Sequence, residues 1–148
     1  MRFVTKTFEA LTNRELYALL QLRSLVFVVE QQCPYQDMDE VDLLASHNLM
    51  VDENDRITGY TRCIPPGIKY DAAAAIGRVV THPDIRRQGW GVPLMEYAME
   101  QCRMAYPGYP VRISAQLYLL EFYERLGFVP QGVQYLEDDI PHIEMLLS

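Results

Sequence analysis

The stretch Ile76-Gly77-Arg78-Val79-Val80-Thr81-His82-Pro83-Asp84-Ile85-Arg86-Arg87-Gln88-Gly89-Trp90-Gly91 reads as a strand, a short loop and a glycine turn that opens a helix. Ile76 to Thr81 is rich in β-branched residues, as a buried strand requires. Gly89 and Gly91 lack a Cβ, so the chain can turn sharply there and approach a ligand closely. A helix is expected from about Gly91 to Ala105, with Pro93 in its first turn and an apolar stripe of Leu94, Met95, Ala98, Met99 and Cys102. The first N–H groups of such a helix have no internal partner and lie at the positive end of its dipole, which makes an anion site. Arg86 and Arg87 add charge beside it. The turn is neither a dinucleotide fingerprint nor a phosphate loop, for it has no third glycine at that spacing and no G-K-[ST].

Working outward, Arg2 to Phe8 reads as a first strand. Thr12 and Glu15 have capping-box spacing, and Leu16, Leu19, Leu20 and Arg23 continue the helix behind them. The pattern blurs from Val26 to Val29, and Pro34 ends any helix. Residues 35–46 are acidic and loop-like. Asn48 to Val51 and Ile57 to Ile64 form a hairpin about the turn Asp52-Glu53-Asn54-Asp55. Ala72 to Ala75 reads as a loose edge or loop. Beyond the long helix, Val111 to Ala115 is a strand, Leu117 to Leu126 a helix capped by Gly127, and Phe128-Val129 the start of a further strand. His142 to Leu147 closes the sheet. One α+β domain over residues 1–148 accounts for every segment.

Composition excludes several classes. The net charge is −7, with 7 basic and 11 acidic side chains in residues 1–74 and 6 and 9 in the remainder. Neither half offers the clustered Lys and Arg that a nucleic acid requires. Cys33, Cys63 and Cys102 are scattered and odd in number, which reads as reduced thiols rather than a disulfide framework or a zinc site. No metal is expected. The N-terminus MRFVTKTFEAL lacks a secretory signal, and no apolar run approaches the roughly 20 residues of a membrane span, so the expected location is the cytoplasm.

His82-Pro83-Asp84-Ile85-Arg86-Arg87-Gln88-Gly89-Trp90-Gly91 resembles the R-x-x-G-x-G signature of the GCN5-related N-acetyltransferase (GNAT) superfamily. Phe122-Tyr123-Glu124-Arg125-Leu126-Gly127-Phe128 resembles that family's F-Y-x-x-x-G-F element. Val26 to Tyr35 and Tyr135 to His142 are similar to the ElaA-like branch, and the matches run from about Phe8 to Met145. The resemblance implies a three-layer α/β arrangement, a central mixed and mostly antiparallel sheet flanked by helices. It implies transfer of an acetyl group from acetyl-CoA, as co-substrate, to an amine acceptor; a homodimer is compatible with it. Two positions depart from the pattern. Gln116 stands where many relatives carry Asn, and Asp139 stands where glycine is expected.

By that resemblance, the amides of Arg87, Gln88, Gly89, Trp90 and Gly91 hold the cofactor pyrophosphate with the Arg86 side chain as adjunct. The backbone of Val79, Val80 and Thr81 pairs with pantetheine, Gln116 touches the cofactor arm, and Tyr123 is the candidate general acid. Glu30 and His142 are the leading candidates for the general base. Asp39, Asp42, Glu137 and Asp138 are expected to attract a cationic acceptor, or else to be solvated loop acids. Trp90 also reads as a packing residue, His47 and His82 as structural or exposed, and Cys33 as no nucleophile. Two alternatives stand beside this reading. Arg23 to Phe27 with Asp39 and Asp42 also resembles acyl-homoserine-lactone synthases, although the Trp expected between those elements is absent. A non-catalytic acyl-CoA-binding sensor is the other.

Overall fold

The computed structural model describes residues 1–148. Seven strands form one sheet: Arg2–Thr7 (β1), Ser46–Val51 (β2), Ile57–Ile64 (β3), Ala74–Thr81 (β4), Val111–Gln116 (β5), Val129–Glu137 (β6) and Ile140–Leu147 (β7). Their order across the sheet is β1-β2-β3-β4-β5-β7-β6. Every pairing is antiparallel except β4 with β5. A parallel pair needs a long crossover, and the helix Gly91–Ala105 (α2) supplies it.

Alternation along the strands sorts the layers. Leu49 and Val51 of β2 pack with Leu19, Leu22 and Val26 from the first helical region, whereas Met50 between them packs with Leu94 of α2. The helix Asn13–Arg23 (α1) therefore covers one face of the sheet, and α2 covers the other. The short helix Leu120–Arg125 (α3) joins α2 over the larger core, where Tyr123 packs with Met95, Ile113, Phe128 and Met145. The expected capping box is present at Thr12 and Glu15.

Two local expectations are corrected, and a third is given its cause. Ala74 and Ala75 are not a loose edge: they are buried and pair with Val111 and Arg112. Their small side chains suit a strand enclosed between two neighbours, so tertiary burial outweighs the poor strand propensity of alanine. His142 to Leu147 does not close the sheet, because β7 lies between β5 and β6, and β6 forms the edge. Finally, the blurred segment after Arg23 stays helical but widens into π-type turns over Ser24–Glu30, in which Gln31 N–H donates to the Val26 carbonyl at 3.1 Å. Such wide turns are rare and shift the side chains beyond them around the helix axis.

Candidate active site

The parallel pair parts almost at once. β4 and β5 are hydrogen-bonded only at Ala74–Val111 and Ala75–Arg112, and beyond these residues the strands diverge. The main chain of β4 from Ile76 to Thr81 is thus paired with β3 on one side and bare on the other. A backbone with unused donors and acceptors is a template for an extended ligand. A bulge against β3 between Tyr60 and Arg62 places Arg78 at a φ of 50°, and bulges of this kind re-aim neighbouring groups.

A cavity of about 800 Å³ occupies the opening. Its walls come from both faces of the sheet: Leu94, Phe122 and Tyr123 on the side of α2 and α3, and Tyr35, Arg62, Glu137 and His142 on the other. Val79, Val80, Thr81, Arg86, Gly91 and Gln116 line it between these ends. Arg87 and Gly89 take positive φ values of 63° and 82°, and no side chain caps the N-terminus of α2 at Trp90. Left-handed residues followed by the helical Trp90 leave adjacent N–H groups without internal partners, an arrangement suited to anions. No heavy atom lies within 4 Å of where a Cβ on Gly89 would sit. Conformation, not crowding, therefore favours glycine there. The side chains of Arg87, Gln88 and Trp90 do not line the cavity; the Trp90 ring packs with Met50, Ile85 and Leu94.

Tyr123 is 6% exposed and meets Phe122 and Phe128 edge-on, with centroids 5.1 and 5.9 Å away. Burial pushes its phenol well above the usual tyrosine range, so the hydroxyl keeps its proton at neutral pH.

A family model for the acetyltransferase (GNAT) domain matches residues 15–148. The chain belongs to the GNAT acetyltransferase family. ElaA of Escherichia coli is 41% identical over 136 residues, covering 91% of this chain and 88% of ElaA. Its crystal structure superposes with a TM-score of 0.92 over the whole of both chains. A crystal structure of an acyl-CoA N-acyltransferase from Pseudomonas aeruginosa is 42% identical, with a TM-score of 0.93 over 99% of each chain. A CoA-dependent acyl-homoserine lactone synthase is 19% identical with a TM-score of 0.77, covering 97% of this chain and 82% of its own. That last likeness shows the fold alone.

Within this GNAT fold, the acids expected at the acceptor end divide into two groups. Asp39 and Asp42 do not line the cavity. They belong to an ion network with Asp37 and three arginines, buried at Arg23, Asp37, Asp42 and Arg62 and open to solvent at Asp39. The Arg23 guanidinium donates to Asp37 at 2.7 Å and to both oxygens of Asp42 at 2.8 and 3.1 Å. Arg62 donates to Asp39 at 2.6 Å and to Asp42 at 2.9 Å, and Arg78 Nε lies 2.8 Å from Asp37. Burial alone would raise the Asp42 carboxyl, but hydrogen bonds and charge from Arg23 and Arg62 outweigh it and hold it below the usual range. Three cations match three anions, which leaves Asp39 and Asp42 no free charge for an acceptor. The network ties α1, β3 and the bulged Arg78 of β4 to the segment 37–42, so it also braces the open strand.

His47 is wholly buried beside this network. Its Nε2 lies 2.9 Å from the Asp42 carbonyl, which can only accept, so Nε2 carries the proton and Nδ1 accepts from the Tyr60 hydroxyl at 2.6 Å. Burial lowers its pKa and keeps it neutral. It is a structural residue.

Glu137, Asp138 and His142 do line the cavity. They come from the β6–β7 hairpin, whose turn residues Asp138 and Asp139 both have positive φ, 51° and 61°. This is the two-residue turn geometry that favours glycine, and aspartate tolerates it. The departure from glycine at Asp139 thus leaves the turn in place. His142 faces Gln116 on β5 and Tyr135 on β6 in register, with the Tyr135 ring stacked on it at 6.0 Å. Tyr135 in turn shares a short hydrogen bond with Ser114. His142 Nδ1 lies 2.7 Å from the Ile140 carbonyl, which fixes the proton on Nδ1 and leaves Nε2 toward Glu137 at 3.3 Å.

Glu30 is placed differently. It lines the cavity, but its carboxylate grips Arg86 at 2.6 and 2.8 Å, and the Arg86 hydrogen bond lowers its pKa. A carboxylate so held is a weak base for as long as Arg86 stays paired with it. Sequence reading also missed Lys69, Tyr35 and Ser114, all on the cavity wall. Only the alternation of β5 could have pointed to Ser114, and no local pattern singles out the other two.

Proposed function

We propose that the protein transfers an acetyl group from acetyl-CoA to the primary amine of an acceptor, a small molecule or a protein group, in the cytoplasm. The observation that carries this reading is the divergence of β4 from β5, which aligns a bare strand edge, the uncapped N-terminus of α2 and Tyr123 along one cavity. The amides from Arg87 to Gly91 would take the pyrophosphate, and Arg86 would assist once Glu30 yields it. The bare edge of Val79 to Thr81 would pair with the pantetheine amides, beside Gln116. An N–H near Val80 would polarise the thioester carbonyl.

In the transfer, the amine nitrogen bonds to the carbonyl carbon and the carbon–sulfur bond breaks. His142 Nε2, with its tautomer fixed and Glu137 beside it to stabilise an imidazolium, is our choice of base. Of the two protons that an ammonium acceptor loses, one passes to His142 and on to solvent. The other replaces the proton that Tyr123 gives to the departing sulfur. A buried phenolate is costly, so Tyr123 gives up its proton only as negative charge builds on the thiolate.

Release of free thiol from acetyl-CoA in the presence of an amine panel tests the reading. Tyr123→Phe should lower kcat about 100-fold, in the usual range for a general acid, with little change in acetyl-CoA affinity. Unchanged turnover would remove that role. Tight acetyl-CoA binding with no turnover on any amine would favour the sensor, and lactone release from S-adenosylmethionine would favour the synthase.

A further inference from the structure

A general base works only while its ring is held in the productive orientation by the groups around it. At His142 the Ile140 carbonyl accepts from Nδ1–H at 2.7 Å, which sets the tautomer. One hydrogen bond at the edge of an imidazole leaves the tilt of the ring open. A second constraint comes from Tyr135.

Tyr135 stands opposite His142 in the β6–β7 ladder, and His142 stands opposite Gln116 in the β5–β7 ladder. Ser114 lies two residues before Gln116, so all four side chains share one face of the sheet. The hydroxyls of Tyr135 and Ser114 hydrogen-bond to each other. Because β7 lies between β6 and β5, the Tyr135 side chain must cross β7 to reach Ser114. In crossing, its ring stacks on the imidazole, with centroids 6.0 Å apart and planes 23° from parallel. The two-residue turn at Asp138 and Asp139 fixes this pairing: counting back from Glu137 opposite Ile140 sets Tyr135 opposite His142.

Ser114 and His142 line the cavity, but Tyr135 does not, so its side chain acts on a bound acceptor only through those two. Burial pushes its phenol above the usual tyrosine range, so the hydroxyl stays neutral and the tether to Ser114 survives at neutral pH.

We infer that Tyr135 is a positioning residue for the transfer: its ring, tethered to Ser114, holds the His142 imidazole with Nε2 available to the acceptor amine. The inference rests on the acetyl-transfer reading above, with His142 as the base.

Initial rates of thiol release from acetyl-CoA test it, with the fastest amine of a panel that includes propylamine, tyramine, spermidine and glycinamide. Tyr135→Leu removes ring and tether and should lower kcat about tenfold, a loss within the range that misplacing a reacting group causes. Acetyl-CoA affinity, measured by calorimetry, should not change. Tyr135→Phe keeps the ring and should retain most of the rate. His142→Gln should lower kcat about 100-fold, as loss of a general base does. Adding Tyr135→Leu to His142→Gln should then cost nothing further, because residues that act as one unit are not additive. Melting temperatures confirm folding, and Tyr135→Met, which has no flat face, repeats the test should the leucine variant not fold.

A full tenfold loss from Tyr135→Leu in the His142→Gln background would overturn the inference and leave His142 as the base. An unchanged kcat in Tyr135→Leu would do the same. An unchanged rate in His142→Gln would remove the base and this inference with it. No turnover of any amine by a protein that binds acetyl-CoA would overturn the transfer reading itself.

Discussion

The two ends of the cavity are built in different ways. The donor end comes mainly from one continuous stretch, Ile76 to Gly91, in which strand, turn and helix follow directly; only Tyr123 and Gln116 join from farther along. The acceptor end is assembled from separate pieces: the widened helix and loop around Glu30 to Tyr35, Arg62, Lys69, Ser114 and the hairpin Glu137 to His142. In the proposed reading the donor end would bind through backbone groups that any sequence with the right turns presents. The acceptor end depends on side-chain charges, most of which are cancelled by other charges of the protein. An acyl donor can therefore be recognised from a motif, whereas an acceptor must be read from which charges remain.

Breaking the brace shared by both ends should have the largest effect. Asp42→Ala leaves Arg23 and Arg62 short of a buried partner, and removing one member of a buried ion pair costs about 3–5 kcal/mol. Urea unfolding measures it. A loss below about 1 kcal/mol, the worth of an exposed pair, would show that the network is rehydrated and braces nothing.

Next in size is a change confined to the donor end. Gly89→Glu should weaken acetyl-CoA binding about 100-fold or more, roughly 2.8 kcal/mol, by placing a carboxylate at the anion site. Gly89→Ala should cost only about 1–2 kcal/mol, the penalty for a positive φ of 82° with open space around the new methyl. Calorimetric titration separates the two. Equal losses would mean that conformation, not charge, governs the turn.

The smallest and most gradual effect is on acid stability. His47 has a folded pKa below its ordinary 6.5, so its contribution is complete above that value and lost as pH falls below it. Asp42, lowered from 3.8, keeps its contribution to lower pH and loses it as pH falls through the folded value. Denaturant midpoints measured downward from pH 7 should therefore decline first below about 6.5 and again below about 4. A His47→Gln variant should lose the first decline and keep the second.

How much was legible follows the same division. The capping box at Thr12, the crossover helix with its apolar stripe and the glycine turn are local patterns, and the strands around them alternate visibly. Ala74 and Ala75 were misread because their strand is set by neighbours on both sides, not by propensity. Asp39 and Asp42 carry the same residue type as Asp138, yet two are paired with arginines and one sits unpaired in a solvent-exposed turn. Glu30 differs from an available base only through Arg86, which is 56 residues away in sequence.

The sequence by itself determined the family, the order of elements and the glycine turn before α2, because these depend on backbone conformation and on periodicity over a few residues. Tertiary structure alone decided which charges are spent and which remain. Electrostatic compensation acts through space, so Arg23, Arg62 and Arg78 meet their aspartates only after the sheet has formed.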